Sequence, residues 1–470
     1  MKILLIDPPY GYREIGGTKQ NFRYVLNKIP SLGLAYLAAT VEREGHDVRV
    51  VDCTFNQEKM LTDIAKEFCP QIIGITATTP TFKNAAYMAG LLQQILPEAV
   101  YICGGSHASV CPEDILNVGV FDFAIIGEGE RTFLELIAHI KDKQDIQPDY
   151  IHGLAFKRDG DIIITPARER IENLDSLPLP ARHLLPPLKR YHSTPASYRK
   201  LPIAVIMSSR GCPNQCTFCD RTVFGEKFRK RSAANVMLEV EEVISKYGAK
   251  EIRFFDDTFT IDPYHVENIC RQMKKIPMHT PWTCLTAVTA VNSDMLKMMY
   301  DAGCWQVLFG LESGEDYILE RLGKNNTVEQ NKKAVFWAYE AGLRIRADFL
   351  VGSPWETKET FMKTIEFAKS LPLDFAHFNK FVPYPGTSIY KDLKNKGYRF
   401  NFDNGAYINN QCDFIYVPEA FTKTEFSQCL DRAYKEFYLR PNYLMRRLFS
   451  IRTFTEFTGN LKGFYSILSL

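Results

Sequence analysis

Short apolar runs recur along this chain at the spacing of strands, and amphipathic stretches of helical length separate them. In the first part the runs fall at 3–6, 48–51, 72–75, 100–102 and 123–126, with helix-like segments at 34–44, 60–68, 84–96 and 132–140. Strands without polar–apolar alternation, separated by helices, predict a parallel sheet covered on both faces, a doubly wound Rossmann-like layer. The pattern restarts with runs at 203–207, 252–255, 282–286, 306–310, 345–351 and 376–382 and helices between them. Six βα units with gaps suited to right-handed crossovers predict a partial (β/α)6 barrel. Between these blocks, 151–164 alternates around Arg158-Asp159-Gly160-Asp161, a hairpin signal, and leads into the proline-rich Asp175-Ser176-Leu177-Pro178-Leu179-Pro180, a semi-rigid spacer. Residues 421–440 have helical periodicity. The expected α/β organisation is therefore a Rossmann-like domain at 1–140, a linker with a hairpin at 141–200, a barrel at 201–400 and a helical C-terminal region at 401–470.

Ligands of both sheet types bind beyond the C-terminal strand ends, and the unusual residues cluster there. On the loop after the first barrel strand stands Arg210-Gly211-Cys212-Pro213-Asn214-Gln215-Cys216-Thr217-Phe218-Cys219. Thiolates are soft ligands for zinc or iron–sulfur clusters, and three on one loop can grip a single polynuclear centre. A structural metal site takes four protein ligands, yet the next cysteine is Cys270, so one position stays open. A zinc loop or unrelated buried thiols are the alternatives. In the first block the strand ends carry Asp52, Thr76-Ala77-Thr78, Gly104-Gly105-Ser106-His107 and Gly127-Glu128-Gly129-Glu130. Glycines admit close backbone approach and hydroxyls can bond phosphate or amide groups, although a Gly pair also serves a plain turn. Gly323 with Lys324 reads as a helix C-cap.

The cysteine spacing, three residues then two with an aromatic before the last Cys, resembles the radical S-adenosylmethionine (SAM) superfamily. That resemblance implies a 4Fe–4S cluster on Cys212, Cys216 and Cys219, with the fourth iron chelated by the amino and carboxylate groups of SAM. It implies that Asp256 or Asp257, after the second barrel strand, holds the SAM amino group; the choice between them stays open. Glu312 and Ser313, after the fourth, fall where relatives meet the SAM carboxylate or ribose. This chain departs from its relatives at Thr286-Ala287-Val288, where many carry an Arg, and at Trp355, where Gly is usual. The first block resembles the cobalamin-binding domain that precedes many radical SAM enzymes, through Pro30-Ser31-Leu32-Gly33-Leu34, Asp52, the 76–80 segment with Thr76 and Thr78, Gly104, Gly105, His107, Gly127 and Glu128. The Asp-x-His-x-x-Gly signature is absent and residues 7–20 hold no His, so cobalt ligation by a protein His is not implied; His107 is the His nearest the ligand face, but in a Gly-Gly-x-His turn it reads more often as a backbone anchor.

Together these motifs resemble the cobalamin-dependent radical SAM enzymes, a group that includes class B C-methyltransferases and the anaerobic Mg-protoporphyrin ester cyclase. The resemblance implies reductive cleavage of SAM to a 5′-deoxyadenosyl radical, first for methylation of an unactivated carbon and second for ring formation or another skeletal change. It also implies an external electron donor such as flavodoxin or ferredoxin. A vestigial first domain without cobalamin, or a non-catalytic cobalamin-binding or iron–sulfur carrier, are the contrasting readings. No catalytic residue beyond the cofactor contacts is singled out.

The net charge of +2 over 470 residues gives no nucleic-acid footprint. No apolar stretch reaches the ~18 residues of a membrane span. Residues 1–9 meet Asp7 and a Pro pair too early for a secretion signal, and twelve cysteines without such a signal predict a reducing compartment, the cytoplasm. Aromatic residues at 13% and the greasy tail suggest a hydrophobic small-molecule substrate. The tail at 439–470, with Arg440, Arg446, Arg447, Arg452 and Lys462, reads either as a helix packed on the barrel or as a peripheral membrane contact.

Overall fold

The computed structural model describes all residues except 10–27, 56–57, 143–147, 192, 194–196, 277–279, 403–413 and 451–470. The first sheet is built from β1 (Lys2–Asp7), β2 (Asp47–Asp52), β3 (Ile72–Thr76), β4 (Val100–Gly104) and β5 (Phe123–Ile125), continued by β6 (Leu154–Arg158) and β7 (Asp161–Ile164). Its helices are α1 (Leu32–Arg43), α2 (Glu58–Phe68), α3 (Phe82–Gln93), the short α4 (Ser106–Val110) and α5 (Pro112–Asn117), and α6 (Gly129–Asp142). The strand order is β2-β1-β3-β4-β5-β6-β7, parallel through β5 and antiparallel beyond it. Order reverses between β1 and β3, the switch point where doubly wound sheets open a crevice. Two apolar layers cover it: Leu4, Ile6, Ile73 and Ile75 face α2 and α3, whereas Ile3, Leu5, Ile72 and Ile102 face α1 and α6.

The hairpin expected in the linker extends this sheet instead. Phe123 of β5 stands opposite Phe156 of β6, so the strand ladder gains two antiparallel members on its β5 side. The proline-rich segment is not a free spacer either. Its three 3₁₀ turns (Leu174–Ser176, Arg182–Leu184 and Leu188–Arg190) run between the domains with Ile171, Leu174, Leu188 and Tyr191 buried. The Ala181 amide donates to Ala35 of α1, and the Tyr191 hydroxyl donates to Asp52 at 2.9 Å.

The second sheet has six parallel strands in sequential order: β8 (Ile203–Ile206), β11 (Glu251–Phe254), β12 (Trp282–Thr286), β13 (Cys304–Glu312), β14 (Arg344–Val351) and β15 (Phe375–Lys380). A two-residue ribbon, β9 (Ser209–Arg210) with β10 (Arg229–Lys230), stands above β8. Around the sheet lie α7 (Ala233–Ser245), α8 (Pro263–Met273), α9 (Ser293–Asp301), α10 (Asp316–Arg321), α11 (Val328–Glu340), α12 (Lys358–Ser370) and α13 (Ser388–Asn395). Their starts are written in the sequence: Ser232, Asp262, Asn292, Thr327, Thr357 and Thr387 each accept backbone amides as N-caps. The chain thus folds as the expected sheet-then-barrel arrangement.

The C-terminal helices α14 (Lys423–Tyr438) and α15 (Pro441–Ser450) pack on the barrel. Tyr434 and Tyr438 meet the outward backbone groups of Phe378 and Ala376 on edge strand β15, each hydroxyl accepting the N–H and donating to the C=O of one residue. The basic side chains that the membrane alternative would need free are engaged here. Arg440 and Arg446 donate to the Lys369 and Leu373 carbonyls near the end of α12, and Arg447 lies over the Phe375 ring at 4.4 Å. Arg452 and Lys462 lie outside the described residues. No described helix is long and apolar enough to cross a membrane.

Candidate active site

Arg210 and Arg229 stand opposite one another in the β9–β10 ribbon and close residues 211–228 into a loop at the barrel's upper rim. Gly211 makes the sharp exit with φ +88°; a side chain there would run into the Lys227 carbonyl. Cys212, Cys216 and Cys219 follow as free thiols, the first two half-buried and Cys219 exposed. They stand close enough to disfavour one another's ionisation: although Cys219 as a residue is exposed, partial desolvation within the loop raises its thiol pKa, and Cys216, Asp257 and Cys212 add to the rise. Three free thiols spread over one loop fit a polynuclear iron–sulfur centre, whose irons each need one thiolate.

Of the neighbouring acids, Asp257 turns to this loop. It accepts the Gly211 amide at 3.2 Å, and burial raises its pKa. Asp256 is buried elsewhere: its Oδ1 accepts from Ser208 Oγ at 3.0 Å and Ser209 Oγ at 2.6 Å, tying β11 to the β8–β9 turn, and burial lifts it to about 6. Its Oδ1 is thus an internal anchor, while Oδ2 is buried without a partner. Ser313 is likewise consumed, its hydroxyl meeting Thr364 Oγ1 and the Glu315 amide at 3.2 Å each while fully buried.

Glu312 behaves differently. It ends β13 in the left-handed region (φ +60°), just past a register shift against β14, where it still stands opposite Phe349. Its carboxylate lies 3.3 Å from Lys324 Nζ, and burial raises its pKa while Lys324 opposes the shift. Lys324 thus does more than follow a helix cap. Its ammonium also donates to the Gly310 carbonyl at 3.0 Å. Burial disfavours that charge, but Glu312, Cys216 and Cys212 outweigh burial and raise its pKa. One buried cation lies between a carboxylate and the thiols, beside a glycine whose added Cβ would come 3.4 Å from Nζ. Trp355 stands apart from these groups: it carries Arg321 over its ring at 4.6 Å and joins the apolar cluster around Phe381 that also takes Phe218 of the cysteine loop.

Glu356, in the same loop as Trp355, is buried with Oε1 unpartnered, and burial carries its pKa from 4.5 to about 8. The folded chain holds this proton where the unfolded chain has lost it, so stability falls as pH rises from about 4.5 to 8. Glu356→Gln is expected to flatten that part of the melting-temperature profile, read by calorimetry from pH 5 to 8.

At the switch point of the first sheet lies a cavity of about 140 Å³. Gly74 opens its floor, since a Cβ there would come 2.8 Å from Leu5 Cδ2. Gly33 and Leu34 of α1 form one wall, and Thr76, Gly104, Gly105 and Gly127 line the strand-end side. Gly105 needs its φ of +97°, and a Cβ on it would press on Ala77 O at 2.7 Å and Thr76 Oγ1 at 2.8 Å. Such space holds one aromatic ring, as a ~150 Å³ engineered cavity holds benzene, and it opens at the strand ends.

Three residues expected here are engaged elsewhere. Thr78 bonds Thr81 through amide and hydroxyl at 2.9 and 3.0 Å, forming the turn into α3. His107 is buried in α4 against Phe82 at 4.4 Å, with Nδ1 3.2 Å from Thr79 Oγ1; burial lowers its pKa and it does not line the cavity. Glu128 borders the cavity, but its carboxylate accepts the Ile171 amide and pairs with Arg210 at 2.7 Å and Arg229 at 2.9 Å. Arg210 reaches Glu130 as well, at 2.7 Å. A second buried group joins the domains: Glu239 pairs with both Arg182 and Arg231, and Arg231 also reaches the Tyr36 hydroxyl of α1 at 3.1 Å. The roles of these four arginines are invisible in sequence, because a buried interdomain Arg carries no local signal.

The similarity of this chain to known proteins agrees with its geometry. Residues 206–368 match the Radical SAM superfamily and residues 21–137 the B12 binding domain. The chain is 35% identical over 455 residues to the uncharacterized methyltransferase PH0819 of Pyrococcus horikoshii, covering 96% of this chain and 95% of that protein. It is 27% identical to the anaerobic magnesium-protoporphyrin IX monomethyl ester cyclase of Cereibacter sphaeroides, over 94% of this chain and 71% of the cyclase. Its fold superimposes on the radical SAM methyltransferase TsrM from Kitasatospora setae, with cobalamin and a [4Fe–4S] cluster bound, at a TM-score of 0.70 and 18% identity over 90% and 83% of the two chains. It also matches the cobalamin-dependent SAM radical enzyme OxsB with a TM-score of 0.75 and 15% identity, over 97% and 69%. The chain belongs to the cobalamin-dependent radical SAM methyltransferase family, with a 4Fe–4S cluster, SAM and cobalamin as its cofactors.

Proposed function

We propose that this enzyme methylates an unactivated carbon of a hydrophobic small molecule. The observation that carries the reading is the shared wall between the cysteine loop and the first-domain cavity, with Arg210 bonded across it to Glu128. A radical generated at one cofactor and a methyl group carried by the other need such proximity, because misplacement of reacting partners by about 1 Å can cost a hundredfold in rate. In this reading Cys212, Cys216 and Cys219 hold the cluster. Lys324 faces the carboxylate of SAM, Glu312 and Asp257 accept from its hydroxyl and amino groups, and Gly104, Gly105, Gly127 and Thr76 take the cobalamin tail. When bound, the cluster supplies the electron that breaks a C–S bond of SAM. Phe255, exposed at the end of β11, adds apolar surface at the rim where a greasy substrate would arrive.

The test is anaerobic incubation with SAM and reductant. Methyl transfer yields both 5′-deoxyadenosine and S-adenosylhomocysteine, whereas 5′-deoxyadenosine alone, in the presence of substrate extracts, would favour the ring-forming reaction named for the cyclase relatives. Lys324→Ala is expected to weaken SAM binding about tenfold or more, measured by equilibrium dialysis, since a charge-assisted contact is worth roughly 1.5–3 kcal/mol.

The electron comes, in this reading, from an acidic carrier protein such as flavodoxin or ferredoxin. A cavity of about 590 Å³ lies beside Cys216 and Cys219, and Arg170, Arg221 and Lys391 make its lining cationic. Lys391→Glu is expected to slow flavodoxin-driven SAM cleavage several-fold, with dependence on ionic strength, and to leave cleavage driven by a small chemical reductant at its original rate.

A further inference from the structure

The matched cobalamin-binding region ends at residue 137, yet its cavity is not closed by that region alone. Arg210, Val223 and Phe224, all from the segment that carries the cluster cysteines, form part of its lining. Arg210 lies two positions before Cys212, and Phe224 lies five after Cys219. Arg210 is held in place by contacts that span the two domains, and Phe224 is held by Arg210 and Arg229. The Arg210 guanidinium sits over the Tyr36 ring of α1 at 5.3 Å and the Phe224 ring at 5.0 Å, while bonding Glu128 and Glu130. Arg229, its partner across the ribbon, donates to the Phe224 carbonyl at 2.8 Å and pairs with Glu128. The Cys212 amide donates to Gly225 O at 3.2 Å, so the backbone next to Phe224 is bonded to the backbone of the first cysteine.

From this we infer that the cysteine loop is a wall of the cobalamin site: Val223 and Phe224 cover the bound tail, and cluster assembly and cobalamin binding strengthen one another. The physical cause is conformational. The segment 211–228 has a short ribbon at its neck, and three thiolates fastened to one cluster restrict it further. A restricted loop presents Phe224 to the tail without an ordering cost at the moment of binding. Reciprocity follows from linkage, since a factor gained by cobalamin from the cluster is gained by the cluster from cobalamin. Such coupling typically amounts to a factor of roughly 5–150.

The inference rests on cobalamin occupying this cavity, and the experiment separates the two ideas. Hydroxocobalamin is titrated by visible absorbance into the full chain, once free of iron and once anaerobically reconstituted. Binding about tenfold tighter in the reconstituted form supports the coupling, and equal affinities in the two forms overturn it. Absence of binding in both forms overturns the cobalamin assignment itself and the coupling with it. Phe224→Ala is expected to weaken binding in the reconstituted protein about tenfold and to erase the difference between forms, with the iron content and cluster absorbance of the parent. Phe224→Leu, which keeps an apolar cover, is expected to restore most of the affinity. If Phe224→Ala binds cobalamin as the parent does, the wall assignment is wrong. Cobalamin is also expected to raise by a similar factor the chelator concentration that removes half of the iron at equilibrium; an unchanged midpoint would refute the reciprocity.

Discussion

Replacing Cys216 by Ala is expected to abolish SAM cleavage, leaving no 5′-deoxyadenosine above background after anaerobic reconstitution with reductant. A cluster with an open iron already uses only three protein ligands, so loss of one leaves two and the centre is not held. Cys216 is half-buried and its thiol neighbours are Cys212 and, through the amide of Cys219 bonded to its carbonyl at 3.2 Å, the last ligand as well. Its removal takes the middle anchor out of the loop. The fold should survive, because the ribbon pairing of Arg210 with Arg229 and the bonds to Glu128 do not involve the thiol. Circular dichroism of the variant should therefore match the parent while its iron content collapses. Retained SAM cleavage in this variant would remove Cys216 from the ligand set.

Glu239→Ala is expected to bring the largest loss of stability. Glu239 on α7 is fully buried between Arg182 and Arg231, both themselves almost wholly buried. Truncating it strands two guanidinium groups away from water, and breaking a buried pair by removing one partner costs about 3–5 kcal/mol. Chemical denaturation should show the midpoint falling with little change in slope. The Arg182 guanidinium also donates to the Val205 carbonyl of β8, at 2.6 Å, and Arg231 to Met207 O at 3.0 Å, so the damage lands directly beneath the cysteine loop. A variant with parental stability would show that these arginines find water or other partners.

Much of the architecture is legible in the sequence because its signals are local. Fully apolar strands point to parallel sheets, and the N-capping side chains mark where the barrel helices begin. The cysteine triad is legible for the same reason: its three thiols lie within eight consecutive positions on one loop. What the sequence conceals depends on contacts across the fold. Lys324 and Glu312 are twelve positions apart and meet only because β13 turns at its end. Asp256 and Asp257 are neighbours in sequence, and only the β8–β9 turn decides that one anchors serines while the other meets the cysteine loop. Glu128 sits among glycines that line the cavity, but Arg210, one of the two arginines it pairs with, is eighty-two positions away. The hairpin at 151–164 shows in its alternation, whereas its pairing with β5 leaves no trace in a local pattern, so it reads as linker and folds as sheet.

The two tyrosines of α14 have a consequence for how this protein could be cut, fused or circularly permuted. An open parallel sheet ends in a row of unpaired amides and carbonyls, which is a template for intermolecular strand addition. Tyr434 and Tyr438 occupy that row on β15 with one hydroxyl per outward-facing residue, doing for the sheet what another strand would otherwise do. A shortened barrel must therefore keep the chain through at least Tyr438 to remain monodisperse, even though the residues proposed to hold the cofactors all precede it.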